Sequence, residues 1–124
     1  MMNLKSKRMQ FDVQFWKNLD ILVDNTEIII DRPRGSKHPR RKEFIYPVDY
    51  GYLKNTLSGD AHGIDIWVGS DSDRSIRAIL CTVDLEKRDS EIKILFATTS
   101  EEILTIYEIQ NTGNMKALMF SRDN

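Results

Sequence analysis

Tyr46-Pro47-Val48-Asp49-Tyr50-Gly51-Tyr52, then Asn55 to Asp60, then Gly63-Ile64-Asp65-Ile66 form the densest run of chemistry-bearing residues in the chain. Asp60 and Asp65 bracket a tight turn at the start of a segment with alternating polarity. Carboxylates on neighbouring turn and strand positions suit Mg²⁺, a hard cation that prefers oxygen ligands. The same two residues also read as an ordinary turn cap and an outward strand residue, because Asp is common in turns. His62 lies between them. An imidazole serves as a base near neutral pH, yet it is a softer, neutral ligand than a carboxylate. A plain turn residue is an equal reading. Six of the eleven residues from Arg32 to Lys42 are Arg or Lys, and Ser58 to Asp73 holds four Asp. Basic and acidic stretches on one small chain can together hold a metal-bound anion.

The elements that must position these groups follow from periodicity. Phe15, Trp16, Leu19, Leu22 and Val23 recur at helical spacing and predict a helix over Phe11 to Val23. Glu27 to Asp31, with three consecutive isoleucines, reads as a buried strand. Arg32 to Glu43 reads as a loop, since all three prolines lie between positions 33 and 47. Phe44 to Tyr46 and Tyr50 to Leu53 read as strand pieces, and Asn55 to Gly63 as a turn-rich loop. From Ile64 the period is two: Ile64, Ile66 and Val68 share one face, Asp65 and Trp67 the other. Ala78 to Val83 and Glu91 to Ala97 are further strands joined by a charged hairpin. Thr99 and Glu102 fit a capping box for a helix over Ser100 to Gln110, and Met115 to Phe120 completes the set. The pattern is a β-rich α+β domain, taken as one unit over residues 1–124, with 1–10 open to being flexible.

Composition narrows the classes. The chain has 124 residues, 40% hydrophobic and 30% charged, an ordinary globular balance. The lone Cys81, expected in the core, forms no internal disulfide, so a disulfide scaffold is excluded. A reducing, cytoplasmic setting is expected, and no apolar run reaches membrane-spanning length. Eighteen basic and nineteen acidic residues give a net charge of −1. That argues against a dedicated nucleic-acid binder, whose affinity comes mainly from neutralising phosphates. There is no phosphate-binding G-x-x-x-x-G-K-[ST] loop and no paired Cys/His pattern for zinc.

The Tyr-Gly-Tyr segment followed by aspartates resembles the soluble, Mg²⁺-dependent inorganic pyrophosphatases. The similarity runs from Phe44 to Val68, continues weakly from Ile79 to Ala97, and includes Glu27 to Ser36. It implies a closed, five-stranded OB-like barrel with flanking helices, a homo-oligomer, and hydrolysis of diphosphate by a metal-activated water. Carried over by position, it implies that Asp60, Asp65 and Asp84 bind metal, with Asp89 or Glu91 as a further ligand. Lys93 fits a phosphate-contacting lysine, and Tyr46 and Tyr50 fit tyrosines near the phosphate. Asp65, Tyr50 and His62 are the candidates closest to the chemistry.

Three departures stand out. His62 occupies the place of the family's central loop aspartate. The segment Pro39 to Phe44 replaces a longer hairpin, so that Arg34, Lys37, Arg40, Arg41 or Lys42 must supply its cations or be merely solvated charges. The family's late Tyr-Lys pair is matched only loosely by Tyr107-Glu108. Alternative readings are a barrel that binds a phosphate compound without turnover, and a hydrolase of another phosphoanhydride. A third is a nucleic-acid module stacking bases on Tyr46, Tyr50 and Tyr52.

Overall fold

The computed structural model describes residues 3–59 and 61–122. Its elements follow in the order α1 (Leu4–Asp24), β1 (Ile28–Arg32), β2 (Asp49–Leu53), β3 (Asp65–Val68), β4 (Ile76–Asp84), β5 (Asp89–Phe96), α2 (Ser100–Ile109) and β6 (Met115–Ser121). The strands form one six-stranded sheet ordered β1-β2-β3-β5-β4-β6. β3 and β5 run parallel, and the other neighbours run antiparallel. Among the described residues this sheet does not close. The expected closure into a five-stranded barrel is not confirmed: the sheet has six strands, with β1 and β6 at its edges and β6 paired outside β4. The α+β, mainly β class stands.

Side-chain alternation splits the sheet into two faces. On the back, Leu53, Ile66, Ile76 and Ile94 are buried with Val23 under α1, and Trp16, Leu19, Leu22, Ile64 and Val68 pack against them. On the front, Trp67, Ala78, Leu80 and Leu95 are buried with Tyr46, Val48 and Ile106, under α2 and the chain leading into β2. Asp65 and Trp67 thus face opposite to Ile64, Ile66 and Val68, as the period of two predicts.

The helices match their caps. Thr99 and Glu102 form the reciprocal capping box of α2. Asn3 accepts from the Ser6 amide and starts α1 a full two turns before the predicted Phe11. Leu4 and Met9 in that extension stay exposed, so apolar periodicity gave no sign of it. The expected Phe44–Tyr46 strand is instead one side of a narrow loop. The Gly35 amide donates to the Tyr46 carbonyl, the Tyr46 amide to Ser36, and the His38 amide to Phe44. Lys37 and Ile45 form its single bridge. Cys81 is partly exposed rather than core.

Gly51 explains the Tyr-Gly-Tyr signature. A Cβ there would lie 1.8 Å from the Ile29 carbonyl oxygen of β1. The glycine lets β1 press against β2 and leaves Tyr50 and Tyr52 on the front face. No helix among the described residues is long and apolar enough to cross a membrane.

Candidate active site

The front face carries its charge where β2, β3 and β5 meet. Register sets this: Tyr50 lies opposite Trp67, Tyr52 opposite Asp65, and Asp65 beside Lys93. Lys93 Nζ donates to the Tyr50 hydroxyl at 2.8 Å and to Asp65 Oδ2 at 3.1 Å. Glu91 Oε2 stands 4.0 Å from the same ammonium. The side chains are 10% exposed at Lys93, 23% at Asp65 and 6% at Glu91. One buried cation therefore serves two carboxylates and a phenol. Burial, the hydrogen bond with Asp65 and its charge push the Glu91 carboxyl up to about 8, with the Lys93 charge opposing. Burial first, and then the negative Asp65, push the Tyr50 hydroxyl well above its usual range. Tyr50 is held as a neutral donor.

Aromatic packing fixes this corner. The Tyr50 ring meets Trp67 at 4.5 Å and Tyr46 at 5.5 Å, and Tyr46 meets Trp67 at 5.8 Å. Lys93 Nζ lies 5.2 Å from the Tyr50 centroid. Tyr46 is buried at 6% exposure. Both rings are committed to this packing, which disfavours them as open platforms for bases. Burial raises the Tyr46 hydroxyl pKa, and the Arg32 guanidinium opposes that.

The expected site residues are distributed unevenly. Tyr50, Asp65 and Lys93 come together, with Tyr46 adjoining. Asp60 lies outside the described residues. His62 is exposed, and its carbonyl closes the loop by accepting from the Ser58 amide at 2.7 Å. Asp84, expected as a metal ligand, spends Oδ1 on the hairpin, accepting from the amides of Glu86 and Lys87 at 2.9 and 3.1 Å. Asp89 pairs across the hairpin with Asp84 and reaches the cluster only through Glu91.

The basic loop does not converge on Lys93 as one group. The Arg34 amide donates to Asp49, and its side chain lines a separate cavity of about 170 Å³ beside Glu102. Lys37 and Arg40 are exposed, and Arg41 pairs with Glu86 at 3.2 Å. His38 accepts from the amides of Arg40 and Arg41 through Nδ1. Burial first, and then Arg41, Lys87, Arg32 and Arg40, depress its pKa. Glu91 and Arg32 are the residues a reading of spacing ranks too low. The alternation that puts Lys93 on the front face also puts Glu91 there, whereas nothing in the spacing marks Arg32.

Among the described residues no three His, Cys, Asp or Glu side chains converge as a complete metal cage. The donor chemistry still fits Mg²⁺. Asp65 and Glu91 are neighbouring hard oxygen donors, Glu91 once it gives up the proton that burial and Asp65 make it retain. Mg²⁺ usually keeps several waters and is held through one or two carboxylates together with substrate phosphates.

No protein-family model and no curated protein matches this chain. Among solved structures, it is similar to an inorganic pyrophosphatase from Neisseria gonorrhoeae. The match has a TM-score of 0.52 and 15% sequence identity, and covers 78% of this chain and 75% of that one. The fold is therefore pyrophosphatase-like at a distance.

Proposed function

We propose that this chain binds inorganic diphosphate with Mg²⁺ and hydrolyses it to two phosphates. The observation that supports this reading is the Tyr50–Asp65–Glu91–Lys93 cluster, built by three strands on the front face of a pyrophosphatase-like fold. Diphosphate is compact and highly charged, with no apolar handle. Lys93 offers it an ammonium and Tyr50 a neutral hydroxyl, both already oriented by packing. Charge-assisted hydrogen bonds of this kind are the strong ones. Asp65 and Glu91 would hold Mg²⁺, which supplies charge neutralisation and a more acidic bound water when present. Lys93 would stand beside the phosphoryl oxygens, with the Tyr46–Trp67 packing beneath them. In the overall step a water oxygen bonds to one phosphorus while the bridging P–O bond breaks. Diphosphate and water become two hydrogen phosphates.

The experiment is phosphate release from diphosphate by the full chain, with and without Mg²⁺, beside Asp65→Asn. Release that needs Mg²⁺ and is lost in the variant supports the reading. Equal release from both proteins sinks it. A second reading, binding without turnover, is favoured by the ammonium already seated against Asp65 and by the two-carboxylate donor set. Diphosphate binding with no release from either protein would establish that reading instead.

A further inference from the structure

Where β1 meets β2, the register slips. Ile28, Ile29 and Ile30 pair with Leu53, Tyr52 and Gly51, and an unbroken ladder would bring Asp31 opposite Tyr50. A bulge intervenes, and Arg32 takes that position. Bulges re-aim side chains and are over-represented beside active sites. The shift exchanges a carboxylate for a guanidinium at the strand position facing Tyr50. Tyr50 is also the residue whose hydroxyl meets Lys93.

We infer that Arg32 is the second anion-gripping group of this site and holds phosphate oxygens from the β1 side while Lys93 holds them from β5. The inference rests on the diphosphate reading above and adds a substrate-positioning residue to it. Three observations carry it. Arg32 Nη1 donates to the Asp31 carbonyl at 3.1 Å, so its own backbone steadies the head group. The guanidinium charge is felt at the Tyr46 hydroxyl, whose ring packs on Tyr50, so it lies on the same side of the sheet. Among the described residues no carboxylate pairs with Arg32, whereas Arg41, Arg77 and Arg122 each have one. A guanidinium carries five N–H donors in a planar fork. Those not used by the Asp31 carbonyl remain for a ligand, and the half-exposed side chain lets them reach it. The basic loop offers no equal. Arg41 is paired with Glu86, and Lys37 and Arg40 stand in water.

The test is calorimetric titration of Mg²⁺-diphosphate into the full chain, with phosphate release measured in parallel. Wild type, Arg32→Ala, Arg32→Lys and Arg40→Ala are compared, and melting temperatures confirm that each folds. Loss of a charge-assisted hydrogen-bonding group predicts diphosphate Kd raised about 10- to 100-fold in Arg32→Ala. Arg32→Lys should recover part of that loss, and Arg40→Ala should stay within about twofold of wild type. Folded Arg32→Ala binding as tightly as wild type overturns the assignment, as does a loss confined to Arg40→Ala. A wild type that binds diphosphate without releasing phosphate fails the catalytic reading alone, and the Kd comparison still decides Arg32. A wild type that neither binds nor hydrolyses diphosphate overturns both.

Discussion

Between α1 and the end of β6, Arg122 donates two hydrogen bonds of 2.7 Å to the two oxygens of Asp20 and lies over Trp16. On the front of the sheet, Lys93 is shared by Asp65, Tyr50 and, more distantly, Glu91. The first pair is about a third exposed and matched one to one. The second is more deeply buried and carries one carboxyl group too many, so that Glu91 keeps its proton up to about pH 8. A partly exposed matched pair adds up to about 1 kcal/mol and asks little of its surroundings. A buried, unbalanced cluster costs desolvation that its own attractions do not repay. Such a cluster is a poor way to hold a sheet together and a suitable way to hold a cationic or metal-bound ligand.

The largest effect expected from breaking this contrast is catalytic. Asp65→Asn should lower Mg²⁺-dependent phosphate release by about 1,000-fold or more, since metal stabilisation is worth several kcal/mol. Asp20→Asn should leave release unchanged in the same assay. Next comes stability. Lys93→Met leaves two carboxylates facing each other and should cost about 3 kcal/mol in urea unfolding at pH 8. Arg122→Met should cost about 1 kcal/mol.

The pH dependence sharpens the comparison further. The Glu91 carboxyl sits near 8 when folded, against an ordinary value of 4.5. Between those values the folded chain keeps a proton that the unfolded chain has released. Stability from this group is therefore greatest below the ordinary carboxyl range and is lost as pH rises towards about 8. Urea unfolding with a chelator present should show that decline. Glu91→Gln should flatten it and be the more stable protein at pH 8, while Arg122→Met should keep the slope. The smallest effect is expected far from both clusters. Thr99→Ala removes the capping box of α2 and should lower stability by about 1 kcal/mol. Phosphate release per folded molecule should not change.

Much of the fold was legible because it rests on local rules. Alternation placed Asp65 and Trp67 on one face of β3 and Ile64, Ile66 and Val68 on the other. Thr99 and Glu102 announced α2. The start of α1 was not legible, because its first turns depend on the Asn3 cap and have no buried stripe. Barrel closure is not seen among the described residues, and it was not legible because strand pairing order is a non-local choice.

The candidate site divides in the same way. Residue type and spacing marked Asp65 as chemically useful, the resemblance added Tyr50 and Lys93, and the alternation of β5 put Glu91 on the same face as Lys93. Spacing along the chain did not reveal that Asp84 spends a carboxylate oxygen on its own hairpin, or that Glu91 stands nearer Lys93 than Asp89 does. It also gave no hint that a bulge brings Arg32 opposite Tyr50. By itself the sequence determined the elements, their faces and the stock of oxygen ligands and cations, because these follow from periods of two and 3.6 and from side-chain chemistry. Only the tertiary structure decided which charges share one buried space, because register and strand order bring together residues 28 and 43 positions apart, and burial then fixes what their proximity costs.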